Sequence, residues 1–510
     1  MKKSISIFMV CAAVMLVSCG KKATDLENSI PKNALMVMRF DVKKLLSKAD
    51  CNLFENQTVK SVVEMQKREL SDSQKKVFDS FIKNPNSFGV DVIGDVYYFM
   101  NEHCMGVLMS VNNAKKLHDN LIAIDKSFEE MMQKDNGIYS IKIEDANVMW
   151  DNSKILLMMP YYGNVWAEHE NIDFAHYFNL PKEESVVSDV NYQKFAATKG
   201  DITIYYAFSN YVNFMENFAN RDLIDKNNTE VQNLMNKVFA IYESFKGVST
   251  VMSCDFENGK IIAKSQMFYE TKEDEQRYAE IYNFADAKLS GEFLKYVSQN
   301  PHLLMTMDFD GEKIINMIDK FGFTEYLDTI RIKKDIDVKT LINSIKGDFI
   351  LSVNNVNLGN STMPVSISVF AKLCNADAFK TEFDKLLKDS KDIDFLNFGV
   401  KNDVFYLFSN DNAKQLFETG AENVLMKKIN GQPMFFYGDL SNLKESLQPL
   451  YAYQAFAPLI DKGLSLVETF ESKYIDKDNG EFIINFTDKK QNSLKQIFVF
   501  INEALNKVPL

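Results

Sequence analysis

Residues Ala34–Leu46 read ALMVMRFDVKKLL. Apolar side chains dominate up to Phe40, as in a strand, and Val42, Leu45 and Leu46 then recur at helical spacing. Asp41 stands at the junction, where a short carboxylate accepts the free N–H groups of a first helical turn. Leu303–Ile315, LLMTMDFDGEKII, repeats the pattern with Asp310 in the place of Asp41. A strand feeding a capped helix, used twice, predicts an α+β chain built from two divergent copies of one block.

The rest of the chain supplies the order. After Asp41 come a helical pattern over Val59–Lys83, strands at Val92–Phe99 and Gly106–Ser110, and a helix at Asn113–Asp125. Asp135-Asn136-Gly137 marks a turn before Ile138–Ile143, and Asn152-Ser153 precedes Ile155–Met159. Gly200-Asp201 opens a strand at Ile202–Phe208, with Ser209 as N-cap of the next helix. Val248–Phe256 and Ile261–Tyr269 flank Asn258-Gly259, a pair suited to a type I′ hairpin turn. A helix over Glu273–Val297 closes the block. The second block matches in order: Gly347 for Gly94, Val365–Ala371, the helix Ala376–Leu387, the hairpin Phe395–Val400 and Val404–Phe408, Gly431 for Gly200, and Asn479-Gly480 for Asn258-Gly259, before a last helix at Ser493–Leu505. The offset between matched residues falls from 269 to 253, 231 and 221. Insertions in the first copy account for that drift, and order of elements is what defines an internal repeat. The plainer reading is two unrelated α+β domains that share common units. The repeats are placed at 30–295 and 296–510, each a mostly antiparallel sheet with helices on one face.

Composition bounds the class. The chain has 510 residues, 46% hydrophobic and 25% charged, as in an ordinary globular protein. Its net charge is −12, and the few arginines are Arg39, Arg68, Arg221, Arg277 and Arg331. No basic stripe tracks a phosphate backbone, so nucleic acid is not an expected partner.

Lys2 and Lys3, then the short apolar run Ile5–Met15, then Leu16-Val17-Ser18-Cys19 have the form of a secretory leader. The end of that stretch resembles the bacterial lipobox, in which the Cys is acylated and becomes the new N-terminus. The alternative, a membrane-spanning anchor, needs about 20 apolar residues, more than this run provides. The expected organisation is a signal peptide at 1–18 and a lipidated tether at 19–29. Acyl chains such as palmitate on Cys19 make the membrane the first expected partner. No Asp follows Cys19 and no acidic cluster lies behind it. An outer-membrane lipoprotein facing the periplasm is therefore expected ahead of a surface-exposed one. Cys51, Cys104, Cys254 and Cys374 lack CxxC spacing, and both a disulfide and free buried thiols fit them.

Chemistry-bearing motifs are sparse. The chain holds no GxSxG elbow, no phosphate-binding GxxxxGK[ST] loop and no GxGxxG. His103 adjoins Cys104, but neighbours on a strand point to opposite faces. His169 and His176 have no HExxH or carboxylate frame, so neither a metal nor another cofactor is expected. Asp41 and Asp310 read as helix caps before catalytic acids. The insertion Tyr161–Ser188 carries Tyr161, Tyr162, Trp166, His169, His176 and Tyr177. It is a candidate interaction loop for a protein or glycan, set against a loop that packs on its own domain. Asp328-Thr329-Ile330 resembles an O-glycosylation motif but falls in an expected helix.

With the leader, Ile30-Pro31-Lys32-Asn33-Ala34-Leu35 and Phe40–Leu46 in view, the chain resembles the uncharacterised Bacteroidota lipoproteins grouped as domain of unknown function 4836. The resemblance implies a lipoprotein address and a large α+β body, and brings no catalytic residues. The expected function is a non-enzymatic binding or scaffolding lipoprotein of the cell envelope. A carboxylate-dependent hydrolase acting on glycans and a lipid or lipoprotein carrier are the alternatives.

Overall fold

The computed structural model describes residues 26–50, 70–160, 173–219, 229–282, 288–356, 365–388, 396–409, 411–429, 431–451 and 456–507. Two compact units emerge. Unit 1 gathers residues 26–214, 248–258 and 491–507, and unit 2 gathers 215–247 and 259–490. They cut across the blocks 30–295 and 296–510 read from the sequence. The last helix of the chain, Ser493–Lys507, packs in unit 1 on the helix Val42–Ala49. The helix Lys272–Tyr282 packs in unit 2.

Unit 1 contains β1 (Met36–Asp41), β2 (Asp95–Met100), β3 (Cys104–Ser110), β4 (Gln133–Asp135), β5 (Ile138–Ile143), β6 (Ala146–Trp150), β7 (Lys154–Pro160), β8 (Ile202–Ala207) and β9 (Val248–Glu257). They pair antiparallel in the order β9-β8-β1-β2-β3-β7-β6-β5-β4. Val96, Met109, Ile155, Trp150 and Val148 share one face, because side chains alternate along a strand. The helices Val42–Ala49, Asp72–Lys83 and Ala114–Ile124 cover that face with Val42, Phe81, Leu117 and Leu121. Trp150 is fully buried there, stacked on Tyr139 and donating its indole N–H to the Ala114 carbonyl. On the opposite face lie the buried side chains Val37, Tyr97, Phe99, Leu108 and Tyr205.

Unit 2 contains β10 (Lys260–Tyr269), β11 (Leu303–Asp310), β12 (Ile345–Val356), β13 (Val365–Leu373), β14 (Asn397–Lys401), β15 (Val404–Phe408), β16 (Met434–Asp439), β17 (Val467–Tyr474) and β18 (Asn479–Phe486). Their order is β10-β18-β17-β16-β11-β12-β13-β15-β14, antiparallel throughout. Phe370 and Ala371 are neighbours on β13 yet belong to different cores. Phe370 packs with Leu304, Ile350 and Phe435 under Phe293 and Leu294. Ala371 packs with Phe405 and Phe379. The fold is α+β with antiparallel sheet, as expected. Helices on one face only is corrected: both sheet faces in unit 2 carry apolar side chains, and both are covered.

Local expectations meet the same test. Asp41 and Asp310 cap the helices Val42–Ala49 and Gly311–Lys320, accepting from Lys44 N at 3.0 Å and Lys313 N at 3.3 Å. Of the residues expected in the tether 19–29, those up to 25 lie outside the described residues, and Leu26, Glu27 and Ser29 are buried. Helix Phe208–Ala219 starts two residues early, which puts Ser209 in its first turn and not at its cap. Helix Glu273–Val297 is replaced by Lys272–Tyr282 and a separate 3-10 turn at Glu292–Tyr296, which Gly291 opens at φ +73°. Asn479 and Gly480 lie inside β18, because the Asp476 carboxylate draws the N–H groups of Asp478 and Asn479 into an earlier turn. Gly259 takes φ +66° while Asn258 is not left-handed, so that pair is not a type I′ turn.

Candidate functional site

The first described residues build the site. Leu26–Ile30 turn through a 3-10 element and dock on the face of unit 1 opposite the Trp150 core. Ser185 Oγ donates to the Glu27 carbonyl at 3.1 Å and Val186 N to the Ile30 carbonyl at 3.0 Å, which fixes the segment to the 182–188 turns. Lys154 Nζ donates to Ser29 Oγ and to the Phe178 carbonyl, both at 2.6 Å, and lies over the Phe178 ring.

This docking carries Glu27 into the interior, where it is 7% exposed. Its Oε1 accepts from the Tyr192 hydroxyl at 3.3 Å, a long bond. Tyr192 comes from the short helix Tyr192–Ala197 and packs edge-on against Tyr205 of β8. Tyr97 of β2 is fully buried, and its hydroxyl has no hydrogen-bond partner of ordinary geometry among the described residues. Arg39 of β1 lies opposite both Tyr97 and Thr203 in the sheet register. Its guanidinium is occupied elsewhere: it donates to the Ala196 and Thr198 carbonyls and to Thr203 Oγ1, over the Phe195 ring.

An ionised carboxylate accepts up to about four hydrogen bonds; Glu27 has the long one from Tyr192 and a weaker interaction with the Tyr97 hydroxyl. Burial is the main cause that pushes its carboxyl above the ordinary value of 4.5, against opposing influences from Tyr97, Arg39 and Tyr192. Burial likewise raises Asp95 and the Tyr97 phenol. Above Glu27 opens a cavity of ≈ 430 Å³ whose walls include Asn28, Lys182, Val187, Tyr192 and Gln193. The cavity wall brings together the Glu27 carboxyl, the Tyr192 phenol and one ammonium, Lys182.

The candidates read from the sequence fall elsewhere. Cys19, Tyr161, Tyr162, Trp166 and His169 lie outside the described residues, as does Cys51. His176 and Tyr177 sit on the short helix Phe174–Phe178. His176 pairs with Glu184 at 2.7 Å, and Tyr177 accepts from Asn101 at 3.2 Å, its phenol pushed up to about 12 by burial. Cys104 is buried, its thiol raised to about 12 by burial and bonded to Asn101. His103 contacts Glu102 at 3.2 Å. Thr329 donates to the Glu325 carbonyl within a helix. Cys104, Cys254 and Cys374 are free thiols. Among the described residues no group of His, Cys, Asp and Glu is arranged to hold a metal, and no helix is long and apolar enough to cross a membrane. Glu27 was missed because nothing in LENSIP marks a residue that folds inward. Its one sequence signal is an acid, two residues after Asp25, in the segment that leads into the first strand.

The chain matches domain of unknown function 4836 over residues 26–453 and belongs to that family. None of the curated proteins matches it. Among solved structures, crystal form III of TP0453 is 9% identical and aligns over 52% of this chain and 88% of its own. Form I is 10% identical over 51% and 86%, and form IV 11% identical over 48% and 80%. The TM-score is 0.24 in each case, too low to argue from.

Proposed function

We propose, from membership of a family without an assigned activity, that this is a lipid-anchored envelope protein whose body binds or scaffolds and does not catalyse. The observation that carries the reading is the Glu27 cavity. It is built by the residues that directly follow the acylated tether, and it presents an unsatisfied polar interior. Cleavage before Cys19 and acylation there put the chain on the outer membrane, facing the periplasm. A protein or glycan partner is the expected cargo.

Two divergent repeats supply the body. The order β9-β8-β1-β2-β3-β7-β6 in unit 1 runs parallel to β17-β16-β11-β12-β13-β15-β14 in unit 2, strand for strand in chain order. The β4–β5 hairpin is then an addition to the first copy. Parallel strand order across so many elements supports duplication over a chance sharing of units.

A second reading, a carboxylate hydrolase, draws on one observation. Asp308 and Asp348 face each other across β11 and β12, and burial, with Asp348 next in effect, holds Asp308 above its usual range. Asp348 is occupied by Ser290 and Gly291, which favours a structural role. Crosslinking in intact cells followed by recovery of the protein tests the binding reading. A partner recovered specifically with wild type supports it. Glycan hydrolysis that disappears in Asp308→Asn replaces it with the second.

A further inference from the structure

We propose that the Glu27 cavity receives a primary ammonium carried beside a phosphate, the chemistry of a phosphoethanolamine head group. This deepens the binding reading above and rests on it.

Three features converge. Glu27 is almost wholly buried, lines the cavity, and accepts one long hydrogen bond. The neighbouring Tyr97 hydroxyl interacts with Glu27 without making a hydrogen bond of ordinary geometry among the described residues. Leaving buried polar atoms so poorly matched costs stability, and a ligand that satisfies them recovers that cost. The Arg39 guanidinium is committed to Ala196, Thr198 and Thr203. A primary ammonium brings a positive charge and three N–H donors to the acceptor oxygens of Glu27 and Tyr192, which both line the cavity. A quaternary ammonium brings the charge without a donor.

Lys182 sets the second half of the ligand. It lines the same cavity as Glu27 with Asn28 and Gln193, so the anion of a zwitterion meets a cation and two amides there. The volume of ≈ 430 Å³ accepts a small head group. Location favours a lipid source. Six residues, 20–25, separate Cys19 from Leu26, and a chain of that length spans at most ~25 Å. Acylated Cys19 therefore keeps the cavity within reach of the bilayer surface.

The test is titration calorimetry on the full chain carrying Cys19→Ala, which stays unacylated, so that failure of the anchor and failure of the site are separate results. Phosphoethanolamine is expected to bind about tenfold or more tightly than phosphocholine, the worth of one charge-assisted hydrogen bond. Glu27→Gln should remove that preference, and Lys182→Ala should weaken both ligands. Equal binding of the two head groups, or heat from neither at about 10 mM, overturns the proposal; the comparison of ligands on wild type holds even if a variant misfolds. Vesicles of phosphatidylcholine with and without phosphatidylethanolamine decide the source. Selective co-sedimentation with the ethanolamine lipid supports a membrane head group. Head-group binding with no vesicle preference overturns the lipid source in favour of a soluble zwitterion.

Discussion

Asp348→Ala should release the segment that covers one face of unit 2. The Asp348 side chain is nearly buried and accepts from Ser290 N at 3.0 Å, Ser290 Oγ at 2.8 Å and Gly291 N at 2.7 Å. Those bonds set Gly291 in its left-handed conformation and start the 3-10 turn Glu292–Tyr296. The turn then delivers Phe293 and Leu294, each 1% exposed or less, onto Leu304, Ile350 and Phe370. Truncation strands two backbone N–H groups, at about 1–3 kcal/mol each. Relief of the like-charge contact with Asp308 across the strands returns at most about 1 kcal/mol. The net expectation is a loss of about 1–6 kcal/mol, with Asp348→Asn about half as costly because one oxygen remains. Hydrogen exchange read by mass spectrometry over 290–297 is the assay, since it reports one segment without assuming that the chain unfolds in a single step. Unchanged protection there, within about 0.5 kcal/mol, would refute the reasoning.

Asp41→Ala and Asp310→Ala should each lose about 1 kcal/mol of helix stability, with Asn nearly neutral; exchange rates over 42–49 and 311–320 read it. Phe370→Ala, which empties a fully buried ring site against Phe293, Tyr296 and Phe417, should cost about 3–5 kcal/mol in urea denaturation. Glu27 makes stability fall with rising pH: its folded carboxyl titrates above the unfolded value of 4.5, so between those two values the unfolded chain releases the proton first and is favoured. Glu27→Gln should flatten the thermal midpoint against pH above about 4.5, and an unaltered slope would show that Glu27 is not held protonated.

Sequence patterns were sufficient where one residue decides a local geometry. Asp41 and Asp310 cap because a carboxylate at a strand-to-helix junction has free N–H groups within reach. Ile138–Ile143 is a strand because its turn signals leave it no other length. Where two nearby groups compete, the pattern misleads. Asn479-Gly480 is a good turn pair, yet the Asp476 carboxylate turns the chain earlier and leaves Asn479 and Gly480 to β18. Long-range partition is not written locally at all. The helix Ser493–Lys507 has the same amphipathic character whichever unit it joins, and its place in unit 1 follows from the apolar surface left by Val42–Ala49. The site was hidden for a related reason. Glu27 is one of many acids in the chain, and only the docking of Leu26–Ile30, held by Ser185, Val186 and Lys154, distinguishes it.

The measurement that tests the account most directly is metabolic labelling with palmitate, followed by membrane fractionation, of wild type and Cys19→Ala. The account predicts label on wild type, none on the variant, and loss of the variant from the membrane fraction. A soluble wild-type chain with an unmodified Cys19 would contradict it, because the anchor and the placement of the Glu27 cavity beside the bilayer both depend on that one acylation.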